Sequence, residues 1–270
     1  MLINSFHFIP LSKPEYFTKI EKIPAGYFIL DLEDSVSDSE KDLARENLKK
    51  YFSTNKSSRF FLRINSEIQF NFYKDIQLVN DLKWSKLLIP KISNKLLDEI
   101  IEKLNFKPNL FLLFETVQSI NQFDEILKNI DSVDFVGIGF EDILSDYTTQ
   151  KTEIQNFIQN ISNQFIFKAK AHQIPCIDGI STSKDSSVFE QECEYSKSLG
   201  FDGKMSISPF QVEIINNTWR ISDKEYDTAK QLIEKGKCKK ETGYIIVENE
   251  LISPAKIKKA NKIIESYEKI

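Results

Sequence analysis

The feature that most restricts how this chain can fold is an alternation. Eight short, almost continuously apolar runs are separated by stretches whose apolar residues recur at helix spacing. The runs fall at residues 5–10 (SFHFIP), 27–33 (YFILDLE), 59–65 (RFFLRIN), 87–92 (LLIPKI), 109–115 (NLFLLFE), 133–139 (VDFVGIG), 174–179 (IPCIDG) and 202–208 (DGKMSIS). Runs without polar alternation are strands buried on both faces. Segments such as SDSEKDLARENLKKYF and SNKLLDEIIEKL between them have helical periodicity. Eight strand–helix alternations predict an α/β fold, a (β/α)8 TIM barrel, and 270 residues are enough for one such core.

Helix starts agree with that count, because Ser37 with Glu40 and Ser222 with Glu225 have the spacing of a capping box. Residues 148–171 are polar with helix-period apolar positions and are expected to be helical. The pattern changes after about residue 220. A helix over 222–235 leads into the lysine-rich KGKCKKE, then a hairpin in TGYIIVENELI turning near Glu248 and Asn249, then a terminal helix opened by Ser253 and Pro254. The expected organisation is a catalytic barrel over 1–220 with an extension over 221–270 that serves as a lid or an oligomer contact. The lysine run reads as a solvated turn rather than an anion-capture site.

Composition narrows the function classes. Lysine plus arginine number 36 against 40 aspartate plus glutamate, a net charge of −4, so there is no field for a polyanion and nucleic acid is disfavoured as a partner. Three cysteines without CxxC spacing and two histidines far apart in sequence disfavour a disulfide framework or a zinc finger. Cys176 and Cys193 read as packing residues, and His7, within an apolar strand, as a satisfied core histidine. The first residues lack a basic leader and no apolar stretch is long enough to cross a membrane, so a soluble, cytoplasmic protein is expected.

In a barrel of this type function collects at the carboxyl ends of the strands. Those ends carry Asp31, Glu33 and Asp34 after strand two, Arg63 and Asn65 after strand three, and Lys91 after strand four. Glu115 follows strand five, Glu141 and Asp142 follow strand six, Asp178 ends strand seven, and strand eight contains Lys204 before Ser206 and Ser208. All are expected to face one mouth. Each alone has an ordinary structural explanation as a helix cap or an ion-pair partner. Their convergence matters more, since unpaired charge buried over an apolar barrel is costly without a metal or a partner. Glu115 and Asp142, completed by water and substrate oxygens, suit magnesium's preference for few protein carboxylates.

Taken in order, LDLEDSV, FLRIN, LIPKI, LLFETVQSI, VGIGFEDILSD, IPCIDGI and LGFDGKMSISPFQVEIIN resemble the segments of citrate lyase beta-subunit-like (CitE-like) proteins of the wider HpcH/HpaI aldolase family. The resemblance runs over nearly the whole chain. It implies a pyruvate-kinase-like barrel using Mg2+, with Mn2+ as a substitute, for lyase or aldolase chemistry on a small hydroxy or oxo acid, free or as its CoA ester. It implies Glu115 and Asp142 as metal ligands and Arg63 on the substrate carboxylate or carbonyl oxygen. Asp31 and Asp34 fall in the acidic cluster that holds an acid/base group, with Asp34 the candidate base and Glu33 or a metal-bound water its competitors. Lys91, Ser12 and Lys13 are further substrate-binding candidates, and a homo-oligomer, trimer or hexamer, is implied.

The departures from the family pattern lie elsewhere. The usual Pro-Gly of the first loop, on the CoA side, is Pro10-Leu11 here; IHPSQ is ISPFQ, with Ser208 and Phe210; ETP is ETV at Val117; and the aspartate of an MIDRP-like string is Ser253. Metal, arginine and acidic positions persist while CoA-side and lid positions drift. That pattern implies a retained enolate-forming centre with an altered substrate or second half-reaction. The rival readings are an acyl-CoA thioester hydrolase on the same barrel and a non-catalytic barrel subunit of a larger assembly.

Overall fold

The structure, a computed structural model, describes residues 4–52, 58–128, 130, 132–145, 151–237, 245–247 and 250–268. The eight apolar runs become eight parallel strands: β1 (Ser5–Pro10), β2 (Tyr27–Asp31), β3 (Phe60–Arg63), β4 (Lys86–Ile89), β5 (Asn109–Phe114), β6 (Val133–Ile138), β7 (Cys176–Asp178) and β8 (Gly203–Ser206). They close in sequential order into a barrel, β8 pairing back onto β1.

The barrel interior explains the aromatic content of the runs. Phe6, Phe61, Phe111 and Phe135 point inward with Ile29, Leu88 and Ile177. Phe6 meets Phe111 and Phe135 edge-on with ring centroids 5.3 and 4.9 Å apart. Burial of one such side chain contributes roughly 1.5–3 kcal/mol. Gly137 makes room for this plug, since a Cβ there would lie 2.8 Å from the Phe111 ring.

The crossovers carry α1 (Lys41–Phe52), α2 (Phe70–Leu82), α3 (Asn94–Lys103), α4 (Val117–Asn121), α5 (Phe123–Lys128), α6 (Phe140–Ser145), α7 (Lys151–Ala171), α8 (Ser186–Leu199) and α9 (Pro209–Trp219). After β1 the chain instead makes a 3-10 helix over Pro14–Lys22. Capping chemistry sets several starts: Ser93 accepts from Leu96 N, and Asp185 accepts from Ser187 N and Val188 N. Thr116 and Ser119 form a reciprocal box at α4, with serine in place of glutamate at the third position. Ser37 and Glu40 make a side-chain to side-chain hydrogen bond of 2.7 Å on a short 3-10 turn, without a hydroxyl-to-backbone cap.

Contacts within the chain separate two compact units, one ending at Thr218 and one beginning at Trp219. In the second, α10 (Asp223–Lys237) opens with the Ser222–Glu225 box, Glu225 Oε2 accepting from Ser222 N at 2.8 Å and Ser222 Oγ from Glu225 N at 3.2 Å. Strands β9 (Ile245–Val247) and β10 (Glu250–Ile252) pair antiparallel as the expected hairpin, and Ser253 caps α11 (Pro254–Glu268). Helices α10 and α11 are joined by stacked Tyr226 and Tyr267 rings, 4.1 Å between centroids. The turn at Glu248 and Asn249, and the CKKE end of the lysine run from Cys238, lie outside the described residues.

Candidate active site

Side chains alternate along a strand, so the row that fills the barrel predicts which residues emerge above it. On β2 the inward series runs Tyr27, Ile29, Asp31; on β3, Phe61, Arg63; on β5, Phe111, Leu113 and then Glu115; on β6, Phe135, Gly137 and then Gly139. Asp31, Arg63, Glu115 and Gly139 therefore form the layer over the apolar plug. They line one cavity of about 420 Å3 together with Asp34 and Asp142.

Arg63 is held on three sides. Its Nε donates to Asp31 Oδ1 at 2.7 Å and its Nη2 to Asp31 Oδ2 at 2.6 Å. Nη1 lies 3.1 Å from Glu33 Oε2 and 3.3 Å from Asp34 Oδ2, and the guanidinium stacks over Phe8 at 4.6 Å. Burial works against its charge, but Asp31, Glu33 and Asp34 outweigh that and push its pKa upward. The fork expected to clasp a substrate carboxylate is thus occupied by Asp31, and the remaining arm, Nη1, is turned toward Glu33 and Asp34.

The surroundings of Asp31 bear on its expected part as an acid/base group. Its side chain is fully buried, and its two oxygens also accept from Glu33 N at 2.8 Å, Ser35 N at 3.1 Å and the Ser35 hydroxyl. Burial alone would raise its carboxyl, yet the charge and hydrogen bonds of Arg63, with those of Ser35 and Glu33 N, hold it below the usual carboxylate range. Both of its oxygens are thus tied to Arg63.

The acidic loop after β2 splits by exposure. Glu33 is buried, its Oε1 accepting from Lys91 Nζ at 3.0 Å and Ser66 Oγ at 3.2 Å. Burial, with the charge of Asp34, pushes its pKa up against the pull of Arg63 and Lys91. Asp34 has 54% of its side chain exposed and faces the cavity, with Arg63 and Lys91 each 3.3 Å away. Lys91 sits in the left-handed region at φ 48°, which aims its N–H at Glu115 Oε2, 2.7 Å away. Its ammonium reaches Glu33, Asp34 and, at 3.9 Å, Asp142. Burial depresses its pKa but these carboxylates outweigh it and raise it. Lys91 lines an adjoining hollow of about 410 Å3 that shares Asp34 with the main cavity.

Glu115 is the electrostatic anomaly of the site. It is 6% exposed, and burial pushes its pKa up to about 8 despite the Lys91 N–H and the charge of Arg63, with Glu33 and Asp142 adding repulsion. Gly139 is what lets it sit there, since a Cβ at that position would lie 2.7 Å from Glu115 Oε1. Asp142, in the first turn of α6, is half exposed on the same cavity. Among the described residues no three histidine, cysteine, aspartate or glutamate side chains form a cation cage. Two carboxylates, one of them desolvated and short of positive charge, nevertheless fit a magnesium ion that keeps most of its ligands as water and substrate oxygens.

Other expected members lie elsewhere. Ser12 is buried with no partner for its hydroxyl among the described residues, Lys13 pairs with Glu40 at 3.6 Å, and neither lines the cavity. Asp178 and Lys204 do not face the mouth: Ile177 and Met205 hold the inward positions, so their neighbours point out toward the helices and pair with each other at 2.5 Å. Ser206 bonds His7 Nδ1 at 3.0 Å outside the barrel interior, and burial lowers the His7 pKa to about 4. Cys176 and Cys193 are buried free thiols pushed up to about 12 by burial, as packing residues should be. Sequence reading missed Ser35, Gly139 and Lys41. Lys41 is a buried ammonium that donates to Leu32 O at 2.9 Å and Glu33 O at 2.8 Å, fixing the acidic loop. Ser35, four residues after Asp31 in a tight polar turn, was the most readable of the three.

The HpcH/HpaI aldolase/citrate lyase family profile matches residues 4–209, which span all eight barrel strands. A (3S)-malyl-CoA thioesterase of Cereibacter sphaeroides is 28% identical over 233 residues, covering 85% of this chain and 81% of that protein. The citrate lyase beta subunit of Leuconostoc mesenteroides subsp. cremoris is 25% identical over 282 residues, covering 98% and 93%. In structure the chain is similar to CitE from Mycobacterium tuberculosis, solved with magnesium, acetoacetate and coenzyme A, at a TM-score of 0.80 over 98% of each chain; at 20% identity that likeness speaks for the fold. A match that begins before β1 and ends past β8, on a closed barrel of the same form, makes this chain a member of the HpcH/HpaI aldolase/citrate lyase family of enzymes.

Proposed function

We propose that the chain is a Mg2+-dependent carbon–carbon lyase of citrate lyase beta-subunit type, acting through an enolate on a small hydroxy or oxo acid, free or as its CoA ester. The observation that carries this reading is the buried Glu115 carboxylate, pushed up to about 8, on one cavity with Asp142 and the Nη1 arm of Arg63. Glu115 and Asp142 would hold Mg2+ or Mn2+, and the ion when bound supplies positive charge to a substrate carbonyl oxygen.

The chain's own groups divide the remaining work. Arg63, clamped by Asp31, sets its positive charge beside the substrate oxygen that gains negative charge as the carbon–carbon bond breaks, Nη1 exchanging its contacts to Glu33 and Asp34 for that oxygen. Asp34 takes the hydroxyl proton of the substrate, because it reaches the cavity while Glu33 is buried and tied to Lys91 and Ser66. The electron pair of the broken bond passes to the carbonyl as an enolate, which is reprotonated at carbon. Lys91 offsets the acidic loop and holds the approach of the substrate anion. Ser12 and Lys13 are given no part.

A second reading, thioester hydrolysis, is favoured by the similarity to malyl-CoA thioesterase. Incubation with Mg2+ and a panel of hydroxyacyl-CoA esters and free 2-oxo acids separates the two. Cleaved carbon skeletons with the thioester intact support the lyase, free thiol with an uncleaved acid supports the hydrolase, and no turnover of any member removes both in favour of a non-catalytic barrel.

A further inference from the structure

We propose that a second cavity, between β7, β8 and the helices α7 and α8, is a binding site for an uncharged small molecule bearing hydroxyl or carboxamide oxygens. Its volume is about 690 Å3, within the range of roughly 300–1,000 Å3 usual for small-molecule pockets. It lies within the barrel unit and meets the catalytic cavity only through a shared wall of Phe140, Glu141 and Ile180.

The floor is polar where packing alone would be apolar. Lys204 and Asp178 are 4% and 5% exposed and paired at 2.5 Å. Asp178 has three donors: besides Lys204, its Oδ2 accepts from Ser196 Oγ at 2.5 Å and its Oδ1 from Gly179 N at 2.8 Å. The ammonium of Lys204 has three N–H groups, and Asp178 is the acceptor it meets among the described residues. Beside them Ser162, 1% exposed, lines the cavity with a hydroxyl that has no hydrogen-bond partner among the described residues. A buried hydroxyl left unpaired opposes folding, so its retention calls for a partner that enters from outside. Gln155, Gln159 and Ser162 stand at i, i+4 and i+7 of α7, which puts two amides and the hydroxyl on the one face that looks into the cavity.

The charges select the class of ligand. Donors at the floor, Lys204 N–H and Ser162 O–H, ask for acceptor oxygens. Glu141, exposed, and Glu192, half-buried, line the outer part of the same cavity and disfavour a carboxylate or phosphate there. The Lys204 ammonium is already neutralised by Asp178, so no net positive charge at the floor offsets that repulsion. An uncharged molecule offers the oxygens without the repulsion, and Phe140, Ile180 and Phe201 cover its carbon frame. None of this depends on the proposed reaction.

The test uses uridine, N-acetylglucosamine and myo-inositol as uncharged probes, and acetate and inorganic phosphate as anionic ones, followed by saturation-transfer NMR on the full chain. At least one uncharged probe is expected to bind at or below about 10 mM, and its affinity to fall roughly tenfold or more in Ser162→Leu, which fills the floor. Arg63→Lys, in the other cavity, should leave that affinity unchanged. Ser162→Ala serves as the folding control, and Gln159→Leu replaces Ser162→Leu if the latter does not fold. The proposal is overturned if no uncharged probe binds, if binding is the same in the cavity-filling variant, or if acetate or phosphate displaces the probe.

Discussion

The charge balance of Glu115 can be turned into a stability measurement that needs no substrate. Its pKa is pushed from the ordinary 4.5 to about 8 in the folded chain without metal. Between those values the folded state holds a proton that the unfolded state has released. Stability therefore falls as pH rises through that window and levels off above it. At pH 7 the loss is about 3 kcal/mol, taking about 1.4 kcal/mol per pH unit from 4.5 upward. Glu115→Gln keeps a carbonyl to accept from Lys91 N and removes the titration. In EDTA at pH 7 the variant should be more stable than wild type by about 3 kcal/mol, roughly 10 °C in Tm for a domain of this size. Mg2+ at about 100 times its Kd should then return about 2.7 kcal/mol to wild type and nothing to the variant, closing the gap. Paired thermal and urea melts in EDTA and in Mg2+ measure both effects. If the variant is no more stable than wild type in EDTA, the buried carboxylate is not the strained group inferred here; if Mg2+ shifts both equally, Glu115 is not a ligand.

Other perturbations test the neighbours of this residue. Gly139→Ala drives a methyl into Glu115, 2.7 Å from its Oε1, and should cost about 1–3 kcal/mol and abolish the Mg2+-induced thermal shift. Arg63→Lys keeps the charge but cannot span both oxygens of Asp31, so kcat/KM should fall by about a hundredfold or more in steady-state assays, and near-wild-type turnover would make Arg63 a structural residue. Asp31→Asn leaves the buried guanidinium short of its main counter-charge and should cost about 3–5 kcal/mol in urea denaturation. His7 has the opposite pH sign to Glu115: with its pKa lowered from 6.5 to about 4, the stability it provides above pH 6.5 is lost as pH falls toward 4, by up to about 3 kcal/mol. The difference between wild type and His7→Gln across pH 7.5 to 5 isolates it.

Much of the fold was readable because one physical rule governs most of it. A strand buried on both faces has to be apolar throughout, and charged helices have to separate such strands if they are to lie parallel. Runs as plain as NLFLLFE and VDFVGIG therefore announced β5 and β6 to within one residue. The same rule locates the carboxyl ends of the strands, so Arg63, Glu115 and Asp142 could be picked out as residues of the mouth before any coordinate was known. The helix after β1 was less legible, since PEYFTKIEK has helical spacing yet forms a 3-10 helix.

What the chain does not announce is which of two neighbouring polar residues points inward. Asp178 follows Ile177 as Glu115 follows Phe114, and both look like mouth carboxylates in one dimension. The difference is parity. Ile177 belongs to the inward row and sends Asp178 outward to Lys204, whereas Leu113 belongs to that row and brings Glu115 in with it. Parity is readable only when the inward row is known, and in strands apolar on both faces the residues themselves do not declare it. The edge of a guanidinium is further from the sequence still. An arginine on the strand beside a DLED segment can clasp a substrate or be clasped by an aspartate, and only the register that sets Asp31 opposite Arg63 decides for the second. That register sets Asp31 against Arg63 and leaves Asp34, half exposed, the freer of the two acidic candidates. The chemistry proposed here therefore rests on the less buried of two adjacent acidic positions.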